Sequence, residues 1–171
     1  MKLTIKELTV FSMLGAVMYA SKMIMEMIPN VHLLGVFIVA FTVVYRKKAL
    51  YPIYIFVLLT GLLNGFSTWW LPYLYIWFVL WLFVMFVPKK LNSALKTAIY
   101  MIICAIHGFA YGILYAPVHM FIYGMSFDAI VAWVVAGLPW DMVHGISNFF
   151  CTLLTLPIIK ALKMGQKYSR Q

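Results

Sequence analysis

The run YLYIWFVLWLFVMFV, residues 73–87, holds fifteen successive apolar or aromatic side chains without a single charge. It is bounded by Pro72 on one side and by Pro88-Lys89-Lys90 on the other. The run is continuous rather than alternating, so it lacks the period-two pattern of a membrane barrel strand. A helix that is apolar on every face is either buried in a large core or solvated by lipid. In lipid each backbone N–H and C=O must be satisfied internally, which leaves helices as the choice for such a run.

Similar runs lie on both sides of it. Residues 50–65 precede it, with Pro52 suited to a first helical turn. Before them come residues 8–28, ending at Pro29-Asn30, and residues 31–45, which meet Arg46-Lys47-Lys48. After it come residues 94–115 and 140–162. A crossing helix takes about 20 residues, so 171 residues suit six crossings and no sizeable extramembrane domain. The expected fold is therefore all-α: a single domain over residues 1–171, an integral membrane bundle of six transmembrane helices. The composition agrees, with 65% hydrophobic and 10% charged residues and a mean hydropathy of +0.99. A soluble domain has roughly 45–50% apolar residues.

The stretch from Pro117 to Pro139 fits this scheme least well. Its segment 127–136 is apolar but too short to cross, and Gly137-Leu138-Pro139 follows it. Two readings stand: a short helix lying over or dipping into the outer mouth of the bundle, or an extension of the last span through a kink at Pro139.

Basic residues orient the bundle. With the amino terminus inside, Lys2, Lys6, Arg46, Lys47, Lys48, Lys89, Lys90, Lys96, Lys160, Lys163, Lys167 and Arg170 fall on one side, and of the 13 basic residues only Lys22 falls on the other. That partition predicts an even number of crossings and cytoplasmic termini. The net charge of +9 lacks a polar basic face on which to bind nucleic acid. Cys104 and Cys151 sit in apolar runs with no zinc-like spacing. The first apolar run is too long for a cleavable signal and has no small-residue cleavage site.

Polar groups inside a membrane call for a partner or a purpose. By this topology Glu26, Asn30, His32, Asn64, His119, Asp141, His144 and Asn148 converge on the outer side. Asp141, His144 and Asn148 fall within about 60° of one another at ~100° per residue, one stripe over two turns. The stripe either grips a small polar molecule or glues its helix to its neighbours by hydrogen bonds. Trp70, Tyr73 and Trp77 share a face and either wall the same cavity or belong to the interfacial aromatic belt. Gly61/Gly65 and Gly108/Gly112 suit close internal packing. Ser12, Ala16 and Ala20 form a small-residue face on the first helix that can dock another protein. HExxH, GxSxG and phosphate-loop motifs are all missing, and the four acidic residues form no local pair. No enzyme is expected, and uphill transport would need ATP hydrolysis by another chain or an ion gradient.

With AVMYA at residues 16–20, the segments IPN (28–30), GFSTWWLPYLYIW (65–77) and GLPWDMVHGISNF (137–149), the chain resembles the S components of energy-coupling factor (ECF) vitamin transporters. It looks most like the branch for hydroxymethylpyrimidine or pyridoxine. The resemblance spans nearly the whole chain and implies a substrate-capturing subunit in a bacterial plasma membrane. It also implies partners: a transmembrane scaffold subunit that contacts Ala16 and Ala20, and two cytoplasmic ATPases. The S component topples in the membrane to deliver its cargo. Substrate-binding residues would be Asn64, Trp70, Tyr73, Trp77, His119, Asp141, His144 and Asn148, with no cofactor in this chain. The family's nickel and cobalt members carry an amino-terminal Met-x-His, whereas this chain begins Met1-Lys2-Leu3, so no metal is expected. The alternatives are an ion-coupled carrier, for which no inverted repeat is visible, and a membrane-embedded enzyme using Asp141 and His144.

Overall fold

The computed structural model describes residues 3–168, and every regular element in that range is helical. Lys2, Arg170 and the chain end at Gln171 lie outside the described residues. The α-helices are α1 (Ile5–Met25), α2 (Leu34–Tyr45), α3 (Leu50–Asn64), α4 (Tyr73–Phe86), α5 (Ser93–Phe109), α6 (Tyr111–Tyr123), α7 (Phe127–Cys151) and α8 (Thr155–Tyr168). Short 3-10 turns at Arg46–Ala49 and Thr152–Leu154 link α2 to α3 and α7 to α8.

This partition bears on the expected one in three ways. Three continuous helical stretches, Ile5–Met25, Ser93–Tyr123 and Phe127–Lys167, are long and apolar enough to cross a membrane. Helix length by itself accounts for three of the six expected crossings. Second, the expected helix over residues 94–115 ends at Phe109, and α6 then continues through Pro117 to Gly124, whose left-handed φ of 62° caps it. Third, of the two readings of residues 127–136 the extension through Pro139 holds and the separate lid does not. These residues are the first turns of α7, which runs unbroken through Pro139. Water competes for the backbone groups that a proline frees. In an apolar bundle that competition is missing, so Pro117 and Pro139 do not end their helices. Within the expected last helix, residues 140–162, the chain tightens to a 3-10 turn at Thr152–Leu154. Pro157 there removes the donor that would extend the α-helical ladder back through Leu153.

Helix α2 is the centre of the fold. Its residues Leu34, Val36, Ile38, Val39, Ala40 and Phe41 are all buried, together with Thr42, whose hydroxyl is satisfied by the Ile38 carbonyl at 2.6 Å. An all-round apolar helix needs cover on every side, and α1, α4, α5, α7 and α8 supply it. Around it α1 packs on α3 and α5 on α7. The α5–α7 crossing is close because it is glycine on glycine: a Cβ on Gly108 would stand 2.7 Å from the Gly145 Cα. Such small-residue crossings let backbones meet where lipid provides no hydrophobic drive.

The two ends of the bundle differ in character. At one end the capping box of Thr4 and Glu7 starts α1, and Glu7 also pairs with Lys48. There too, Arg46 donates to the Met85 carbonyl near the end of α4 at 3.0 Å. A cleft of about 630 Å³ at this end brings Thr4, Lys6 and Lys48 together with Gly165 and Gln166 of α8. At the other end lie the last turns of α1, the start of α2 and the start of α4.

Candidate functional site

The turn Glu26–Leu33 between α1 and α2 folds over that second end. Asn30 takes a left-handed φ of 59°, and its carbonyl accepts a hydrogen bond from Ser147 of α7 at 3.1 Å. The turn thereby sets His32 against α7. A cavity of about 230 Å³ opens beneath it, lined by Lys22, Met25, Glu26, Ile28, Pro29, Asn30, Val31, His32, Tyr73, Tyr111 and His144. Four helices and one turn contribute to it.

Its floor is an aromatic cage. The imidazoles of His32 and His144 meet edge to face at 4.6 Å between centroids, and Tyr111 meets His144 at 4.7 Å. Tyr73 and Trp77, one turn apart on α4, contact each other at 5.3 Å. Trp77 in turn faces His107 at 5.8 Å and His32 at 6.1 Å. Trp77 and His144 are each only 1% exposed.

Hydrogen bonding separates this cage from ordinary packing. His107 Nε2 lies 2.9 Å from the Ile76 carbonyl, so that nitrogen is the donor and Nδ1 is left as an acceptor. His107 Nδ1, His32 Nδ1, Trp77 Nε1 and both ring nitrogens of His144 are buried without a partner. A buried polar atom without a partner typically costs about 1–3 kcal/mol. Thr155 Oγ1 is in the same state but lies away from the cage, on α8. Of these residues His32 and His144 line the cavity, while Trp77 and His107 pack behind them. Lys22 and Glu26, which also line the cavity, stand 3.4 Å apart.

The predicted site residues divide into two groups. Tyr73 and His144 line the cavity, and Trp77 backs it. The others lie elsewhere. Asp141 is buried with its carboxylate on the backbone N–H of Gly112 at 3.0 Å, tying α7 to α6. Asn148 donates to the Cys104 carbonyl at 3.4 Å, tying α7 to α5. Asn64 is exposed and accepts from Tyr19 at 2.9 Å. Trp70 donates to the Val57 carbonyl at 2.8 Å, and His119 packs on Trp133 at 4.2 Å in the α6–α7 hairpin. So within the stripe on α7, His144 faces the cavity while its neighbours join helices.

His107 and Tyr111 belong to the cage but escaped the sequence reading. Their signal was a polar pair four residues apart in an otherwise apolar run, like Tyr73 and Trp77 on α4. His32 was noted as an outer polar residue without being assigned to the site. Among the described residues no group of three or more His, Cys, Asp and Glu side chains is placed to hold a metal ion. On α1, Ala16 and Ala20 are exposed, whereas Gly15 on the opposite side packs against Ile55. Comparison with protein-family models, curated proteins and solved structures finds no match to this chain.

Proposed function

We propose that this chain is the substrate-capturing S component of an ECF-type importer, taking a small water-soluble vitamin or precursor, such as a hydroxymethylpyrimidine or pyridoxine, from outside the cell. The observation that carries the reading is the cavity under the α1–α2 turn, walled by His32, Tyr73, Tyr111 and His144. Unpartnered ring nitrogens of His32 and His144 sit beside flat aromatic walls, which suits capture of a flat heterocycle. In this reading the chain makes six passes with both termini cytoplasmic. Helices α2, α3 and α4, at 12, 15 and 14 residues, complete their passes with the turns at their ends. The basic end then faces the cytoplasm of a bacterium and the cage faces outward.

The chain carries no ATPase motif, so a scaffold subunit and two ATPases supply the work. The exposed face of Ala16 and Ala20 is where the scaffold grips α1. The test is a thermal-shift screen of the detergent-purified protein against water-soluble vitamins and their precursors. One compound should raise the melting temperature at micromolar concentration and be recovered chemically unchanged. A compound converted to product would make the chain an enzyme. No shift from any compound would overturn the proposal.

A further inference from the structure

We infer that the cleft between α1 and α8 at the basic end of the bundle binds one anionic glycerophospholipid, its phosphate held by Lys6 and Lys48 and an acyl chain laid against Val10, Phe11 and Leu162. The inference stands apart from the capture reading and from the compartment that this end faces. It needs only that the chain lies in a membrane. The cleft's volume of about 630 Å³ falls within the ~300–1,000 Å³ typical of sites that hold a small molecule. That is room for a headgroup and the upper part of a chain.

Three elements line the cleft, and each sets a polar residue about one helical turn from an apolar one. On α1 exposed Lys6 is followed by half-buried Val10. On α8 Gln166 follows Leu162, which packs on the core. At the end of α2, Lys48 follows Tyr45, which also packs on the core. Phe11 closes the inner side, 1% exposed and edge to face with Tyr45 at 5.1 Å. A polar rim over an apolar wall, repeated on three elements, is the surface that an amphiphile with a small head and a long tail covers. Free phosphate would meet the rim alone.

Charge selects among amphiphiles. The cleft is lined by two ammonium groups, Lys6 and Lys48, and by one carboxylate, Glu7. Glu7 pairs with Lys48 and accepts from the Thr4 N–H at 3.1 Å, so it is turned to the start of α1 as well. The surplus is one positive charge, on a turn where Arg46 and Lys47 directly precede Lys48. Basic pockets between helices at headgroup level attract anionic lipid heads, and neutral lipids lack that term.

The experiment offers the purified full-length protein, in a neutral detergent, equal amounts of phosphatidylglycerol and phosphatidylcholine with identical acyl chains. Native mass spectrometry should find one phosphatidylglycerol retained, about fivefold or more over phosphatidylcholine. Glycerol phosphate without chains should not compete. Lys6→Gln/Lys48→Gln should bring the preference within about twofold. Gly165→Trp fills the cleft without touching its charge. A Cβ at Gly165 meets open space, and tryptophan is the better helix former. This variant should keep the wild-type melting temperature and lose the lipid. Retention of neither lipid or of both equally, competition by glycerol phosphate, or undiminished preference in both variants overturns the inference. A photoreactive residue in place of Ala161, irradiated in native membranes, should gain the mass of one phospholipid. A polypeptide adduct instead would give the cleft to a protein partner and overturn the inference too.

Discussion

His144 and Asp141 lie one helical turn apart on α7, yet the structure gives them different work. His144 is 1% exposed with both ring nitrogens unpartnered, whereas Asp141 satisfies a backbone donor. Replacing a buried group that lacks a partner by an apolar one of similar shape removes a penalty rather than a bond. His144→Phe should therefore leave the unliganded melting temperature unchanged or raise it, while abolishing any ligand-induced shift. Asp141→Ala should do the reverse. It strands the Gly112 N–H, lowers stability by about 1–3 kcal/mol, and leaves the affinity of the folded fraction within a few-fold of wild type. Paired denaturation and binding curves check both. If His144→Phe proves as destabilising as Asp141→Ala, His144 is a structural residue and the cage loses its centre. Spacing alone could not separate them, because a 3.6-residue period puts both on one stripe and says nothing of which neighbour each one meets.

Helix α1 shows the same division on a larger element. Gly15 and Ala16 are adjacent, but a Cβ on Gly15 would stand 2.6 Å from Ile55 Cγ2 and 3.0 Å from the Pro52 carbonyl oxygen. Ala16, Ala20, Met13 and Val17 are exposed on the outer side. Gly15→Leu should thus disrupt the α1–α3 contact and lower stability by roughly 1–3 kcal/mol. Ala16→Leu should fold like the wild type and bind ligand normally, yet fail to co-purify with the proposed scaffold subunit. Normal assembly by Ala16→Leu would remove this face from the interface. The sequence shows the small-residue face of Ser12, Ala16 and Ala20 on α1, but not that the neighbouring Gly15 is the residue packed against α3. Only the position of α3 separates the packed side from the bare one. Pro117 of α6 is hard to read for a related reason, since a proline's breaking power depends on whether water or packed helix surrounds it.

For the whole molecule, the six-pass reading makes opposite ends of the bundle face opposite compartments. In a variant with Cys104 and Cys151 replaced by alanine, single cysteines at Met125 and Gln171 report on this. A membrane-impermeant thiol reagent applied to intact cells should label the first and spare the second. Labelling at Gln171, or at both positions, would refute the orientation. The all-helical class followed from the sequence itself, because an uninterrupted run such as residues 73–87 has only one way to satisfy its backbone in lipid. The gathering of polar residues toward one end was also readable, as was the membership of Tyr73, Trp77 and His144 in a common region. Local sequence could not decide between the two readings of Pro139, nor reveal that Asp141 and Asn148 are spent on neighbouring helices or that His32, His107 and Tyr111 complete the cage. Those outcomes depend on which backbone groups and rings meet across elements far apart in the chain. The tertiary structure alone decides which polar atoms find partners and which remain to bind something else.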